Sequence, residues 1–311
     1  MKISLTNETR QILDCSIEER IAFISKEKWI NYPLAQNIIN ELEDILKYEQ
    51  GKTRVTSVLL VGSSHNGKTS ILERLIELHP PYDYYATNPE KVIEQFFEKY
   101  SATGIPVHYI MAPGEPKETR LYSNILHSLN APYRESDNVA KKQYLVEYYL
   151  KLLNVNMLII DEIHNVLSGP VARQKQVLNA IKNLSNTLKI PIVLAGTKDA
   201  LRVISTDTQI SSRFRPLYLK KWKMNQDYVN LLATIISTLP LRKDSDILNP
   251  QTAQEILNIS EGYIGDILGL IKKAAIYALR NQKEYIDFED IRNCKYSSLS
   301  ETNKVRDLSD I

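Results

Sequence analysis

Four residues near position 65 have the types and the spacing of a phosphate-binding loop. Gly62, Gly67, Lys68 and Thr69 fit the pattern G-x-x-x-x-G-K-[ST] directly after an apolar run, Val58–Val61. Glycines at these positions let backbone N–H groups turn toward phosphate oxygens, next to the positive end of the following helix. The lysine of such a loop reaches the β- and γ-phosphates, and the hydroxyl binds Mg²⁺. The pattern therefore predicts a nucleoside triphosphate site.

We expect the whole loop and the start of its helix to contact the nucleotide. The predicted nucleotide-binding residues are Gly62, Ser63, Ser64, His65, Asn66, Gly67, Lys68, Thr69 and Ser70. His65 is interpreted as a variable spacer without a role of its own. The sequence leaves open an alternative, in which the pattern is only a glycine turn beside an exposed lysine.

An acidic pair at the end of a second apolar run supplies the other half of such a site. The run "MLIIDE" ends in Asp161 and Glu162. Asp161 is predicted to bind Mg²⁺ through water, and Glu162 to align and deprotonate the attacking water. A strand that simply runs into a polar loop is the alternative. A glutamate directly after the aspartate favours hydrolases with a catalytic glutamate on a strand, and no Asn-Lys-x-Asp guanine signature is present. ATP is therefore the predicted nucleotide.

Two further features add candidate catalytic residues. Thr197 ends the run "IPIVLAGT", where it could hold the attacking water or the γ-phosphate, or be an ordinary strand-end threonine. Arg213 and Arg215 lie in "ISSRFRP", just before a short strand. In ring-forming ATPases an arginine here reaches the γ-phosphate bound by the neighbouring subunit. Surface charge is the alternative interpretation for both arginines.

These residues need a parallel sheet to bring them together. Apolar runs at 57–61, 105–112, 156–162 and 190–197 alternate with helical stretches, which favours a parallel sheet covered on both faces. After residue 222 the strands stop and only helical patterns follow. We predict an N-terminal helical segment at 1–50, an ATPase core at 51–222, a helical lid at 223–295 and a flexible tail at 296–311.

Composition sets limits on the environment and on partners. The chain has 311 residues, 43% of them hydrophobic, and a formal net charge of +2. No apolar run reaches the length of a membrane span, so no membrane association is expected. Cys15 and Cys294 form no framework, which is typical of a reducing cytoplasm. Because the net charge is small, any nucleic-acid contact must come from a local basic patch.

Several blocks of the sequence resemble a known superfamily and one family within it. "GSSHNGKT", "LIIDE", "LAGT" and "SSRF", followed by helices, are similar to the AAA+ ATPases. "APGEPKETRLYSNILHSLNAP", "MLIIDEIHNVLSG" and "LKIPIVLAGTKDALRVISTDTQISSRFRPLYLKKW" resemble the TniB/TnsC family of transposition ATPases, which is related to MuB. The resemblance covers roughly residues 30–285.

The resemblance implies a fold and a set of roles. It implies an α/β AAA+ P-loop ATPase with a five-stranded parallel sheet, followed by an all-helical lid. It implies that Lys68 and Thr69 bind phosphate and Mg²⁺, that Asp161 and Glu162 act in hydrolysis, and that Arg213 is the finger acting on a neighbour. One departure stands out: "GDIL" places Leu268 where AAA+ lids often carry a sensor arginine. Either Lys272 or Lys273 substitutes for that arginine, or the lid does not sense the γ-phosphate directly.

The resemblance also implies partners. Family members bind duplex DNA without sequence preference, assemble into rings or helical filaments, select a target and recruit a DDE-type transposase. A target-selecting adaptor or a CRISPR effector is a further candidate partner. Slow ATP hydrolysis, stimulated by DNA or a partner, would fit the altered lid. Two other functions stay open: a helicase loader with the same ATPase core, and a nucleotide-dependent signalling switch that does not bind DNA.

The predicted DNA contacts lie in the loop after the second strand. "PGEPKETR" carries Lys117, Thr119 and Arg120 between turn-forming residues, and Lys99 could join them. Repeated lysine, arginine and hydroxyl contacts to phosphates are what sequence-independent binding requires. A solvated loop without a ligand is the alternative for each residue. The denser basic run "KKWK" at 220–223 lies at the predicted hinge, which favours an interdomain or intersubunit role.

Overall fold

The computed structural model describes residues 4–83, 103–205 and 208–298. The chain divides into two compact units. The first, which we call the sheet unit, comprises Asn37–Ser64 and Lys68–Leu219. The second, which we call the helical unit, comprises Met1–Gln36, His65–Gly67 and Lys220–Ile311. The domain limits drawn from sequence stay predictions.

The sheet unit is built on five parallel strands, as the sequence predicts. Seven strands lie within the described residues: β1 Ser57–Val61, β2 Tyr82–Asp83, β3 Thr103–Gly104, β4 Val107–Met111, β5 Met157–Asp161, β6 Ile192–Gly196 and β7 Phe214–Tyr218. The sheet order is β4-β5-β6-β1-β7, and all four pairings are parallel. Strands β2 and β3 form a separate antiparallel ribbon. The predicted five-stranded parallel sheet is therefore confirmed.

The register of the sheet brings the ends of three strands to one edge. Val61 lies opposite Gly196, and Met111 lies opposite Asp161. Every residue of β1, β5 and β6 is buried, which explains their uninterrupted apolar sequences. In a parallel sheet, ligands bind in the crevice beyond the carboxyl ends of the strands. The residues that follow Val61, Asp161 and Gly196 therefore share the expected ligand edge.

Helices cover the sheet and form the whole of the second unit. They are α1 Asn7–Ile12, α2 Ile17–Ser25, α3 Pro33–Tyr48, α4 Lys68–Leu78, α5 Glu118–Ser128, α6 Val139–Leu152, α7 Val171–Leu188, α8 Lys198–Ser205, α9 Thr208–Ser211, α10 Gln226–Ser237, α11 Pro250–Ser260, α12 Ile264–Arg280 and α13 Phe288–Asn293. Short 3₁₀ helices span Ile163–Ser168 and Asp246–Leu248. In the described ranges, no helix is both long and apolar enough to cross a membrane.

The helical unit is joined by contacts between distant parts of the chain. Arg20 on α2 is 1% exposed, and its Nε donates to the carbonyl of Pro240 at 2.9 Å. Its Nη1 donates to Glu284 Oε1 at 3.0 Å, so the buried charge is paired. Tyr228 on α10 donates to the carbonyl of Ala253 on α11 at 3.0 Å. These contacts make the first residues of the chain part of the helical unit.

A tight backbone approach closes this unit beside α12. Gly262 has φ +74°, and a β-carbon on it would lie 2.4 Å from the carbonyl oxygen of Trp222. The amide of Trp222 in turn donates to the carbonyl of Gly262 at 2.8 Å. Glycine is required here on both counts, because a side chain would be strained and would also collide with backbone. The contact fixes the start of α12.

Candidate nucleotide site

The loop lysine is buried and bound to the backbone of its own loop. Lys68 is the first residue of α4 and is 5% exposed. Its Nζ donates to the carbonyls of Gly62 at 3.0 Å and Ser63 at 3.1 Å. Burial lowers the pKa of Lys68, and the nearby carboxylates of Glu162 and Asp161 oppose that shift. The exposed-lysine alternative is therefore wrong: the cation lies inside the loop.

The tip of the loop is held in a left-handed conformation. His65 has φ +58° and Gly67 has φ +80°. Successive turns of this kind point backbone N–H groups into one concave surface, which is the geometry that binds phosphate. A β-carbon on Gly67 would lie 3.2 Å from the side chain of Ile264 and 3.5 Å from the hydroxyl of Tyr32. Both the φ value and this close packing explain the glycine.

A hydroxyl and a carboxylate converge at the carboxyl end of β5. Thr69 Oγ1 donates to Asp161 Oδ2 at 2.9 Å, and the amide of Glu162 donates to Asp161 Oδ1 at 2.7 Å. Asp161 is 1% exposed. Mg²⁺ prefers oxygen ligands and is usually bound by one or two carboxylates together with substrate phosphates. The pair of Thr69 and Asp161 fits a magnesium–nucleotide complex. Within the described ranges, no group of three or more His, Cys, Asp or Glu residues could hold a metal ion.

Tyr109 is a member of this cluster that the sequence analysis missed. Tyr109 lies on the neighbouring strand β4, and its hydroxyl donates to Asp161 Oδ2 at 3.2 Å. Burial raises the pKa of Tyr109, and the charge of Asp161 raises it further. The tyrosine therefore stays protonated and acts as a donor. The available signal was its position on the strand that pairs with the acidic strand, but pairing order is not visible in a sequence.

Glu162 stands at a strained point of the backbone. It has φ +53° and ψ +39°, a left-handed conformation that is costly for a residue with a side chain. Its Oε2 lies 3.1 Å from His164 Nε2. A buried Ile163 follows, and a β-carbon on Gly196 would lie 2.8 Å from its side chain. Glu162 is thereby turned out of the strand at the ligand edge, where a water-activating base is expected.

Thr197 lies next to the phosphate loop. The amide of Gly62 donates to the carbonyl of Gly196 at 3.1 Å, so the loop begins beside the end of β6. The carbonyl of Thr197 accepts the amide of Ala200 at 3.1 Å, and α8 starts there. The side chain of Thr197 is half-buried. The structure thus brings Lys68, Thr69, Asp161, Glu162 and Thr197 to one edge of the sheet; the catalytic role of Thr197 stays a prediction.

Comparison with known proteins agrees with this arrangement. The family model described as "Bacterial TniB protein" matches residues 20–224, which is more than half of the chain. The chain belongs to the TniB family. No curated protein matches the sequence.

Solved structures similar to this TniB-family protein share its fold at low sequence identity. Cdc6p from Pyrobaculum aerophilum is 17% identical with a TM-score of 0.59, covering 88% of this chain and 69% of that chain. ORC1 from Aeropyrum pernix, solved in complex with DNA, is 14% identical with a TM-score of 0.57, covering 89% and 68%. Domain III of DnaA from Thermotoga maritima is 15% identical with a TM-score of 0.52, covering 86% and 93%. The TniB-family chain has the AAA+ fold.

The predicted finger arginine of this TniB-family protein lies away from its own phosphate loop. Arg213 precedes β7, and its carbonyl accepts the amide of Ser57 at the start of β1 at 3.0 Å. The loop follows the other end of β1, about 15 Å away along the strand. The guanidinium of Arg213 donates to the amide oxygen of Asn186, and in the described ranges it forms no ion pair. Arg215, by contrast, is paired with Glu41.

Two of the four predicted DNA contacts of the TniB-family protein, Lys117 and Arg120, are exposed and form only exposed ion pairs. Lys117 forms an ion pair with Glu115, and Arg120 lies 3.8 Å from Glu115 and 3.7 Å from Glu135. The hydrogen bond from Lys117 is the largest cause that lowers the pKa of Glu115. Exposed pairs of this kind contribute little and exchange readily. Both cations could therefore turn to a phosphate. Thr119 is half-buried, and Lys99 lies outside the described residues.

Both lysines proposed as sensor substitutes are bonded elsewhere in the helical unit. Lys272 Nζ donates to the carbonyl of Lys26 at 2.9 Å, and Lys273 Nζ donates to the carbonyl of Lys295 at 2.6 Å. Leu268 is half-buried on α12. The geometry therefore favours neither lysine as a replacement for the sensor arginine.

Proposed function

We propose that this TniB-family protein is an ATPase that binds nucleotide and Mg²⁺ at the carboxyl edge of its sheet. The observation that carries the proposal is the convergence there of Lys68, Thr69, Asp161 and Glu162. Lys68 and Asp161 are both buried, and a buried charge is costly unless it is paired. A triphosphate with its metal ion would satisfy both.

Each residue has a distinct task in this proposal. The ammonium of Lys68 leaves the loop carbonyls for the β- and γ-phosphates, and the loop N–H groups bind the remaining oxygens. Thr69 and Asp161 would hold Mg²⁺, which would neutralise charge on the phosphates. Glu162 orients the attacking water and accepts its proton, with Thr197 as the second group at that water.

The location of Arg213 supports a shared active site. A finger that completes hydrolysis must reach the γ-phosphate, yet Arg213 lies at the opposite end of β1 from its own loop. In the role of a finger, Arg213 would therefore act on the loop of a neighbouring copy. We therefore infer an active homo-oligomer, either a ring or a helical filament, in which hydrolysis depends on the subunit interface.

The nucleic-acid part of the proposal is supported by the family and by charge. Membership of the TniB family and the exposed cations Lys117 and Arg120 favour sequence-independent binding of duplex DNA. One structure with the same fold is an ORC1 protein in complex with DNA. We propose that the ATP-bound oligomer grips duplex DNA and presents it to a DDE-type transposase, with a targeting adaptor or a CRISPR effector as a further partner.

A binding series tests both parts of the proposal. Fluorescent ATP should bind the wild-type protein and the control Lys151→Ala, which changes an exposed lysine on α6, but not Lys68→Ala. Gel shifts on duplex DNA should require ATP or a slowly hydrolysed analogue, and should weaken as salt rises because phosphate contacts release counterions. An affinity for DNA that is independent of both nucleotide and salt concentration would contradict the proposal. A DNA-indifferent protein that still binds ATP would favour a signalling switch.

A further inference from the structure

A buried aspartate of the helical unit contacts the tip of the phosphate loop. Asp266 lies in the first turn of α12 and is 1% exposed. Its Oδ1 accepts a hydrogen bond from the hydroxyl of Tyr296 at 2.7 Å and lies 3.7 Å from His65 Nδ1. Its Oδ2 is buried and, in the described part of the chain, accepts no hydrogen bond. All three residues belong to the helical unit.

The backbone reinforces this contact. The amide of Gly265 donates to the carbonyl of His65 at 2.9 Å, and a β-carbon on Gly265 would lie 3.0 Å from that oxygen. The first turn of α12 therefore touches the loop tip through both a main-chain hydrogen bond and a side-chain contact between Asp266 and His65. Neither contact involves the side chains of Lys68, Thr69 or Asp161, which bind phosphate and metal in the proposed function.

Tyr296 ties the same aspartate to the C-terminal segment. A β-carbon on Gly269 would lie 2.8 Å from the tyrosine hydroxyl, so the ring crosses α12 where that helix has no side chain. Burial raises the pKa of Tyr296, and the hydrogen bond to Asp266 raises it further. The adjacent residue Lys295 is held through its carbonyl by Lys273 at 2.6 Å. Residues 295–298 are thus anchored on α12.

We propose that Asp266 is a positioning residue for the phosphate loop, acting through His65, and that Tyr296 makes this action depend on the C-terminal segment 295–298. The proposal rests on nucleotide binding at the loop, the function proposed above. It also assigns a use to the "GDIL" stretch, which lacks the expected arginine at Leu268.

The physical reason is preorganisation. His65 is a non-glycine residue at φ +58°, a conformation that persists only when its surroundings impose it. The Asp266 side chain and the Gly265 hydrogen bond hold His65 in this conformation before any ligand arrives. When Asp266 is neutralised, nucleotide binding must order the loop as well, and affinity falls accordingly. Displacement of Tyr296 from Asp266 would lower nucleotide affinity in the same way, but by a smaller factor.

The experiment measures dissociation constants for fluorescent ATP in a double-mutant cycle. Asp266→Asn keeps the shape of the side chain and should weaken binding about fivefold, the scale of one ordinary hydrogen bond. His65→Ala should weaken it by a similar factor, and the double variant should be no weaker than His65→Ala alone. The matched control is Asp227→Asn, an exposed aspartate in the first turn of α10, which should change nothing.

Tyrosine variants test the link to the C-terminal segment. Tyr296→Phe removes only the hydroxyl and should weaken nucleotide binding two- to threefold, about half the effect of losing the charge. It should have no effect when His65→Ala is already present. The control is Tyr277→Phe, because Tyr277 is exposed on α12. This pair of variants also carries the test if Asp266→Asn does not fold.

Two results separate failure of this proposal from failure of the proposed function. If Asp266→Asn or Tyr296→Phe costs the same factor with and without His65, the residues act on stability and not on the loop, and the positioning role is wrong. If the wild-type protein binds no nucleotide, or binds it as well as Lys68→Ala does, the proposed function itself is wrong.

Discussion

Tyr109 offers a sharp test of the metal site. Replacing Tyr109 with phenylalanine removes one of the donors to Asp161 Oδ2 and leaves the Thr69 hydroxyl in place. The aspartate would then be less firmly oriented toward Mg²⁺. Nucleotide contacts made by the loop itself would be unchanged. We expect a variant that binds ATP without metal as the wild type does, but that needs more Mg²⁺.

The magnitude follows from the geometry. The Tyr109 bond is 3.2 Å long, longer than the 2.9 Å bond from Thr69, but its acceptor is a buried carboxylate. A hydrogen bond to a charged group contributes about 1.5–3 kcal/mol. Because this bond is long, we place it at the lower end, about 1.5 kcal/mol, which is roughly a tenfold change in an equilibrium constant. Loss of such an outer partner typically costs about 10–100-fold in metal affinity.

The assay is the Mg²⁺ dependence of ATP hydrolysis at saturating ATP. Tyr109→Phe should raise the half-maximal Mg²⁺ concentration about tenfold. Tyr122→Phe is the matched control, because the hydroxyl of this tyrosine likewise donates to a carboxylate, that of Glu118 at 3.1 Å. It should affect stability alone. If the Mg²⁺ curves of Tyr109→Phe and wild type coincide, Asp161 does not depend on this tyrosine and the proposed metal site is misassigned.

Three further predictions concern the base, the finger and the core. Glu162→Gln should bind ATP normally and lower turnover about 100-fold or more, as loss of a general base does; turnover at the wild-type rate would remove Glu162 from that role. Arg213→Ala should reduce DNA-stimulated hydrolysis without changing ATP affinity, whereas an effect confined to Arg215→Ala would move the finger to Arg215. Burial lowers the pKa of His108 to about 4 from 6.5, and its Nε2 lies 2.8 Å from Ser128 Oγ. The unfolded chain therefore binds this proton first as pH falls below 6.5, so the free energy of unfolding should drop by up to about 3 kcal/mol on the way to pH 4. In urea unfolding, His108→Gln should lose less free energy of unfolding between pH 6.5 and pH 4 than the wild type. Equal pH dependence of the two proteins would contradict the lowered pKa of His108.

The sequence predicts those elements whose residue types and spacing lie within one short stretch of the chain. The phosphate loop needs glycine, lysine and threonine at fixed spacing, and β1 and β5 are uninterrupted apolar runs because both faces of a parallel sheet are covered. The acidic residues at the end of β5 could therefore be assigned to the same edge as the loop. The five-stranded sheet followed from the same alternation of strands and helices.

Contacts between residues far apart in the chain could not be predicted in this way. Tyr109 donates to Asp161 across 52 residues, and Arg20 is paired with Glu284 across 264. Tyr109 on an apolar strand and Arg20 on a polar helix give no local signal of these partners. The sequence alone makes His65 a spacer for the same reason, because its partner Asp266 lies 201 residues later. The left-handed backbone of Glu162 likewise has no signature in sequence.

The central claim is that two copies of this chain share one triphosphate and that the resulting assembly binds duplex DNA. Electron microscopy of the purified protein with duplex DNA tests it most directly, with ATP analogue, with ADP and without nucleotide. Rings or filaments should form on DNA with the analogue and should be lost in Lys68→Ala. A protein that stays monomeric and does not bind DNA when saturated with the analogue would contradict the shared site and the DNA-binding assembly.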